Sequence, residues 1–121
     1  MTSIEQFIKE REELNEQTLQ FANKEIKRFF SIDATCYEAG ALDKKTKEML
    51  GLSASMVLRC DDCIKYHLIE AFKSGASDEE IAEVFSIALV VGGSIVIPHL
   101  RRAVAAWEEI RDASHRDILR I

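Results

Sequence analysis

With 121 residues the chain is one domain of ordinary length, and at 47% hydrophobic residues it can bury a core without disulfide or metal staples. One proline and five glycines exclude a low-complexity or disordered protein. The formal net charge is -5, and no run of Lys and Arg offsets it beyond pairs such as Arg101-Arg102, which argues against a nucleic-acid partner.

The predicted elements are helices throughout. Ile4, Phe7 and Ile8 follow a helical phase behind Thr2 and Ser3, with Glu5 and Gln6 placed for a capping box. The same segment is charged from Glu5 onward, so no signal or transit peptide is expected in it. A second helix carries Ile26, Phe29 and Phe30, followed by Tyr37, and Gly40 reads as its stop. Asp43 caps a third helix over residues 44–59, whose apolar stripe is Met49, Leu52 and Met56. Gly51 lies inside it, where glycine costs up to ~1 kcal/mol against alanine and points to close packing. The stretch C-D-D-C at 60–63 opens a fourth helix that runs to about Ser74, with Gly75 as its stop.

Ser77 and Glu80 form a further capping box, and Ile81, Val84, Phe85, Ala88 and Leu89 continue in helical phase to a break at Gly92-Gly93. The short run S-I-V-I at 94–97 has β-branched residues but no partner strand, so no strand is assigned. The last helix carries Leu100, Val104, Trp107 and Ile110, and the tail S-H-R-D-I-L-R-I extends it. The expected fold is all-α: a single domain, 1–121, built as a compact bundle of about six helices. The longest nearly uncharged run, residues 84–99, is shorter than the roughly 20 residues of a spanning helix and contains two glycines, so it reads as buried core. No membrane partner is expected, and the cytoplasm is the expected location. Structural disulfides are rare there, so a close cysteine pair points to catalysis or metal binding.

That pair is Cys60 and Cys63, in R-C-D-D-C-I-K-Y-H. On a helix starting at Cys60, Cys63 lies about 60° from Cys60, and His67 lies within about 40° of both. The three side chains share one side, while Asp61 and Asp62 are expected to face solvent. The second thiol then has an imidazole one turn along as a candidate base, and the first thiol is near enough to bridge to it. The helix N-terminus, a protonated His67 and an inward Arg59 would each favour thiolate; the two aspartates oppose it. Three readings remain open on spacing alone: a redox pair, a zinc site, or small buried residues beside a satisfied histidine. Zinc needs a fourth ligand, for which Glu48, His99 and Cys36 are the candidates.

Residues 48–93 resemble the alkylhydroperoxidase D-like core of the carboxymuconolactone decarboxylase family. The family pattern E-x11-C-x2-C-x3-H falls on Glu48, Cys60, Cys63 and His67, and G-A-S-D-E-E-I-A-E-V follows it. On this frame residues 1–40 are N-terminal helices, 43–93 the family core, and 94–121 the C-terminal helices. The resemblance implies an all-helical, alkylhydroperoxidase D-like fold assembled as a homotrimer or homohexamer. It implies a thiol-dependent peroxide reductase or thiol–disulfide oxidoreductase acting on a small hydroperoxide, with a dithiol reductant or a peroxiredoxin as partner. Glu48 and His67 would relay protons to the reactive thiol; the histidine at i+4 from Cys63 favours that cysteine as the attacker, with Cys60 resolving. No cofactor and no metal is called for. The alternatives are a decarboxylase-like enzyme on a small lactone acid, from the branch of the family without the cysteine pair, and a non-catalytic zinc or scaffold oligomer. One departure stands out: where the best-studied relatives carry a second histidine before the second cysteine, this chain has Asp62.

The remaining candidates read as structural. Cys36 is expected to be small and buried, Tyr66 to pack, and His99 to sit on the surface or in the core. His115 is expected to be solvated, and Trp107 to lie in the core or a subunit interface. The apolar segment 84–97 is expected to serve contacts between copies.

Overall fold

A computed structural model describes residues 2–112 as six α-helices, with no strand among the described residues. The expectation for the tail of the last helix, including His115, falls outside them. The helices are α1 (Ser3–Phe21), α2 (Lys24–Cys36), α3 (Lys44–Val57), α4 (Asp61–Lys73), α5 (Asp78–Gly92) and α6 (Ile97–Arg111), with a single 3₁₀ turn at Ser94–Val96. The S-I-V-I run is thus helical turn, not strand.

Local signals set most boundaries. Thr2 and Glu5 form a full capping box on α1, as do Ser77 and Glu80 on α5. Asn23 caps α2 and Asp43 caps α3, each accepting a backbone N–H three residues on. α4 ends at Gly75, at φ +89°, where the amides of Gly75 and Ala76 bond back to Phe72 and Ala71. That is a Schellman turn with the usual glycine. Between α3 and α4 the same pattern recurs with Arg59 at φ +59°: Arg59 N–H bonds to Met56 and Cys60 N–H to Ser55. A left-handed arginine costs roughly 1–2 kcal/mol, and the turn reverses the chain so that Cys60 starts α4.

The core forms where α3 packs on α4 and α5, and α4 packs on α6. Leu52, Met56, Ile64, Leu68, Ile81, Val96 and Ile110 are wholly buried there. Trp107 lies in this core: its ring meets Phe72 edge to face and its indole N–H donates to Asp78 at 2.8 Å, tying α6 to the start of α5. α1 joins through Ile4, also fully buried, and through Ser3 bonded to Glu109.

Phe7 and Ile8 of α1 also pack against the core, partly buried, whereas no residue of α2 belongs to it. Phe21, Phe29 and Ile32 are 91%, 69% and 65% exposed, and α2 buries no residue. Its C-terminal end is tied to α3 by Lys47, whose ammonium donates to the carbonyls of Cys36 and Glu38. The expected stripe of Ile26, Phe29 and Phe30 therefore exists on a helix but adds no residue to the core. The expectation for Cys36 is corrected here: it lies exposed at the end of α2 and is not a buried side chain, because α2 brings no apolar face to the core.

Candidate functional site

Cys60 is the N-cap of α4, and its sulfur accepts the backbone N–H of Cys63 at 3.2 Å. Cys63 is the third helical residue, and the two cysteines are joined as a disulfide with Cα atoms 5.3 Å apart. Three residues on the first turn of a helix give this separation without distorting the backbone. The pair also sits on the partial positive charge of the α4 N-terminus, which favours thiolate once the bridge is opened.

The two aspartates between the cysteines behave differently from each other. Asp62 is exposed, as expected, whereas Asp61 is half-buried and bonded to α6. His99 Nδ1 lies 2.8 Å from one of its oxygens, and Arg102 Nε donates to the other at 3.0 Å. The expectation that Asp61 faces solvent is thus corrected: the crossing of α4 and α6 turns it inward toward two basic side chains. Burial alone would raise its pKa, but the hydrogen bonds from His99 and Arg102 outweigh burial and hold the carboxyl below its usual range. Arg59 is exposed.

One turn into α4, His67 is buried against α3. Its Nδ1 is 2.8 Å from Oε1 of Glu48, which is itself completely buried. Lys44, one turn before Glu48, donates to the other carboxylate oxygen at 2.8 Å. Burial pushes the Glu48 pKa up; the hydrogen bonds from His67 and Lys44, with the Lys44 charge, outweigh it and keep the carboxyl below its ordinary value. An ionised carboxylate only accepts, so His67 donates from Nδ1–H. Nε2 is left as the basic nitrogen. The hydroxyl of Tyr37 lies 3.4 Å from it. Gly51 makes room for this arrangement: a Cβ there would lie 2.7 Å from His67 Cε1 and 2.8 Å from both His67 Nε2 and Tyr37 Oη. The close packing expected at Gly51 is thus packing on the histidine.

Cys63 and His67 both line an open pocket of about 600 Å³ between α1 and α4. Phe7, Leu14 and Tyr66 give it apolar walls. The Arg11 guanidinium lies over the Tyr66 ring, 4.2 Å from its centroid, and Tyr66 meets His67 edge to face. Tyr66 packs, as expected, and in doing so forms a wall of the pocket. Cys60 does not line the pocket.

The four residues singled out in the sequence thus fall on one locus, Cys60 and Cys63 at the mouth of α4 and His67 and Glu48 beneath it. His99 stands apart as the partner of Asp61. Among the described residues no three His, Cys, Asp or Glu side chains group as a metal ion would require. Sequence reasoning missed Tyr37, Lys44 and Arg11. The i,i+4 spacing of Lys44 and Glu48 was a usable signal; nothing local announces that Tyr37 or Arg11 reaches this site.

The family model described as carboxymuconolactone decarboxylase family matches residues 26–109. A Paracoccus denitrificans protein, uncharacterized protein 4 in the cox locus, is 31% identical over 85 residues, 70% of this chain and 77% of its own length. A Thermotoga maritima protein of solved structure is 56% identical, with a TM-score of 0.86, over 93% of this chain and 95% of its own. It is described as a carboxymuconolactone decarboxylase family protein with a suggested involvement in antioxidative response. A Legionella pneumophila protein of the same family is 26% identical with a TM-score of 0.81, over 88% of this chain and 96% of its own.

Proposed function

Because this chain belongs to the carboxymuconolactone decarboxylase family, we propose that it is a thiol-dependent peroxide reductase or thiol–disulfide oxidoreductase working through Cys60 and Cys63. One observation carries this reading: the cysteines are bridged at a helix N-terminus, and Cys63 shares its pocket with a histidine whose other nitrogen is held by a buried, ionised glutamate. The antioxidative involvement suggested for the Thermotoga maritima relative supports the same direction.

In the reduced state the Cys63 thiol gives its proton to Nε2 of His67, and Glu48 stabilises the resulting imidazolium through Nδ1–H. The thiolate attacks the terminal oxygen of a hydroperoxide. The O–O bond breaks, Cys63 becomes sulfenic acid, and the departing alkoxide takes the proton from His67 to leave as an alcohol. Cys60 then attacks the sulfenic sulfur, water leaves, and the disulfide forms. A dithiol, small or carried by a partner protein such as a peroxiredoxin, reduces the bridge by two thiol exchanges and is itself oxidised to a disulfide. Cys63 is the attacker because it faces the pocket. Cys60, whose sulfur caps the helix, is a stabilised leaving thiolate in the exchange.

The assembly is part of the proposal. The apolar face of α2, together with Val90, Val91 and Ile95, is exposed on the single chain. A homotrimer or homohexamer would cover it.

The deciding experiment counts thiols on reduced protein before and after one equivalent of a small hydroperoxide. Wild type should lose two thiols and keep Cys36. Cys60→Ala should lose one, trapped as sulfenic acid, and Cys63→Ala none. Unchanged counts in wild type, or a catalytic activity surviving in the double cysteine variant, would remove this reading in favour of a decarboxylase-like enzyme.

A further inference from the structure

Nε2 of His67 receives the thiol proton in this scheme, and a group from a third helix stands at it. Tyr37 is the C-cap of α2, and its ring centroid lies 5.1 Å from that of His67. We propose that Tyr37 is a positioning residue for His67: its hydroxyl holds Nε2 in place and exchanges the part of donor for that of acceptor as the imidazole gains and loses the proton of Cys63. This deepens the reading above and rests on it.

A phenol carries one donor and two lone pairs, so it can serve a ring nitrogen in either state. With Nδ1–H given to Glu48, neutral His67 presents a bare Nε2, and the Tyr37 O–H donates to it. The hydroxyl turns away to free the single lone pair of Nε2, the thiol proton moves there from Cys63 Sγ, and the nitrogen, now a donor, gives its N–H to the Tyr37 oxygen. One proton changes place and no bond between heavy atoms is made or broken. Burial and the neighbouring carboxylates Asp33 and Glu48 raise the Tyr37 pKa, so it remains a protonated phenol. Hydrogen bonds to a charged partner are roughly twice as strong as neutral ones, so Tyr37 favours the imidazolium over the imidazole.

The charged and titratable groups around this contact come from four helices: Arg11 on α1, Asp33 and Cys36 on α2, Lys44 and Glu48 on α3, and Tyr66 and Glu70 on α4. Of these, only Glu48 bonds the imidazole. Gly51 is the clearance that permits the contact, which spans 30 residues of sequence.

The test is the pH dependence of iodoacetamide alkylation of reduced full-length protein with Cys36→Ser and Cys60→Ser, which leaves Cys63 as the sole thiol. Tyr37→Phe in that background should move the midpoint of the rate profile to higher pH and slow alkylation at neutral pH by about tenfold, the worth of one hydrogen bond to a charged group. A Tyr37 that only anchors α2 would lower the melting temperature and leave the profile in place. Superposition of the two profiles, with or without a change in melting temperature, overturns the proposal. The assay contains no peroxide, so its outcome is independent of whether hydroperoxide is the substrate, which thiol counting decides separately.

Discussion

Glu48 and His67 meet across α3 and α4 in a 2.8 Å hydrogen bond, and the glutamate has no exposed surface at all. A carboxylate is tolerated there because two basic partners converge on it, one per oxygen. Removing the charge while keeping the shape separates this role from packing. Glu48→Gln should lower the rate of Cys63 oxidation by about 10²-fold and destabilise the fold by about 1–3 kcal/mol, since the amide offers one acceptor oxygen to two donors, Lys44 and His67. Stopped-flow peroxide consumption and urea unfolding measure the two effects.

The same carboxylate predicts acid sensitivity. Its pKa is lower folded than unfolded, so its contribution to stability is complete above its ordinary value of 4.5 and fades as pH falls through the lowered folded value. Asp61 acts in the same direction about its own ordinary value of 3.8. Unfolding free energy should therefore decline from pH 5 downward, and Glu48→Gln should flatten part of that decline. A parallel decline in wild type and variant would show that Glu48 is not the group responsible.

Gly51→Ala sets helix propensity against the site. Alanine favours the helix by up to ~1 kcal/mol, but its Cβ would press on His67 and Tyr37. We expect oxidation of Cys63 to slow more than tenfold, with a change in melting temperature of no more than a few degrees. Circular dichroism melts and thiol kinetics on one sample make the comparison. A fully active Gly51→Ala protein would show that His67 works from another position.

Arg59→Gly relieves the left-handed residue of the turn before Cys60. Glycine adopts that conformation freely but gains entropy in the unfolded chain, so the net gain is up to about 1 kcal/mol, or roughly 3–5 °C. Thermal unfolding reads it directly. A lower melting temperature would mean that the arginine side chain makes a contribution exceeding its backbone strain.

Phe29→Glu places a charge on the exposed apolar face of α2. Light scattering should find wild type as a trimer or hexamer and the variant shifted toward smaller species, at unchanged helical content. Wild type eluting as a monomer at micromolar concentration would leave that face without a second copy to cover it.

Much of this was legible in the chain because it depends on neighbours in sequence. Capping pairs such as Thr2–Glu5 and Ser77–Glu80, the stop at Gly75, and the placement of Cys60, Cys63 and His67 on one side of α4 all follow from spacings of three and four residues. Six helices were expected and six are found among the described residues. The family pattern added Glu48, which composition alone would have left on the surface. Cys36 and Asp61 went the other way, because exposure depends on what packs over a residue and no spacing rule contains that.

The amino-acid order by itself determined where each helix starts and stops and which side of α4 carries the sulfurs and the imidazole, since backbone hydrogen bonding and the 3.6-residue turn act over a few residues. Only the packed molecule decided that Glu48 would be buried with Lys44 and His67 on its two oxygens, that Gly51 would clear a path for Tyr37, and that Asp61 would turn to His99 and Arg102. Those meetings join residues far apart in the chain, and they exist because the crossing of α3, α4 and α6 sets which side chains face one another.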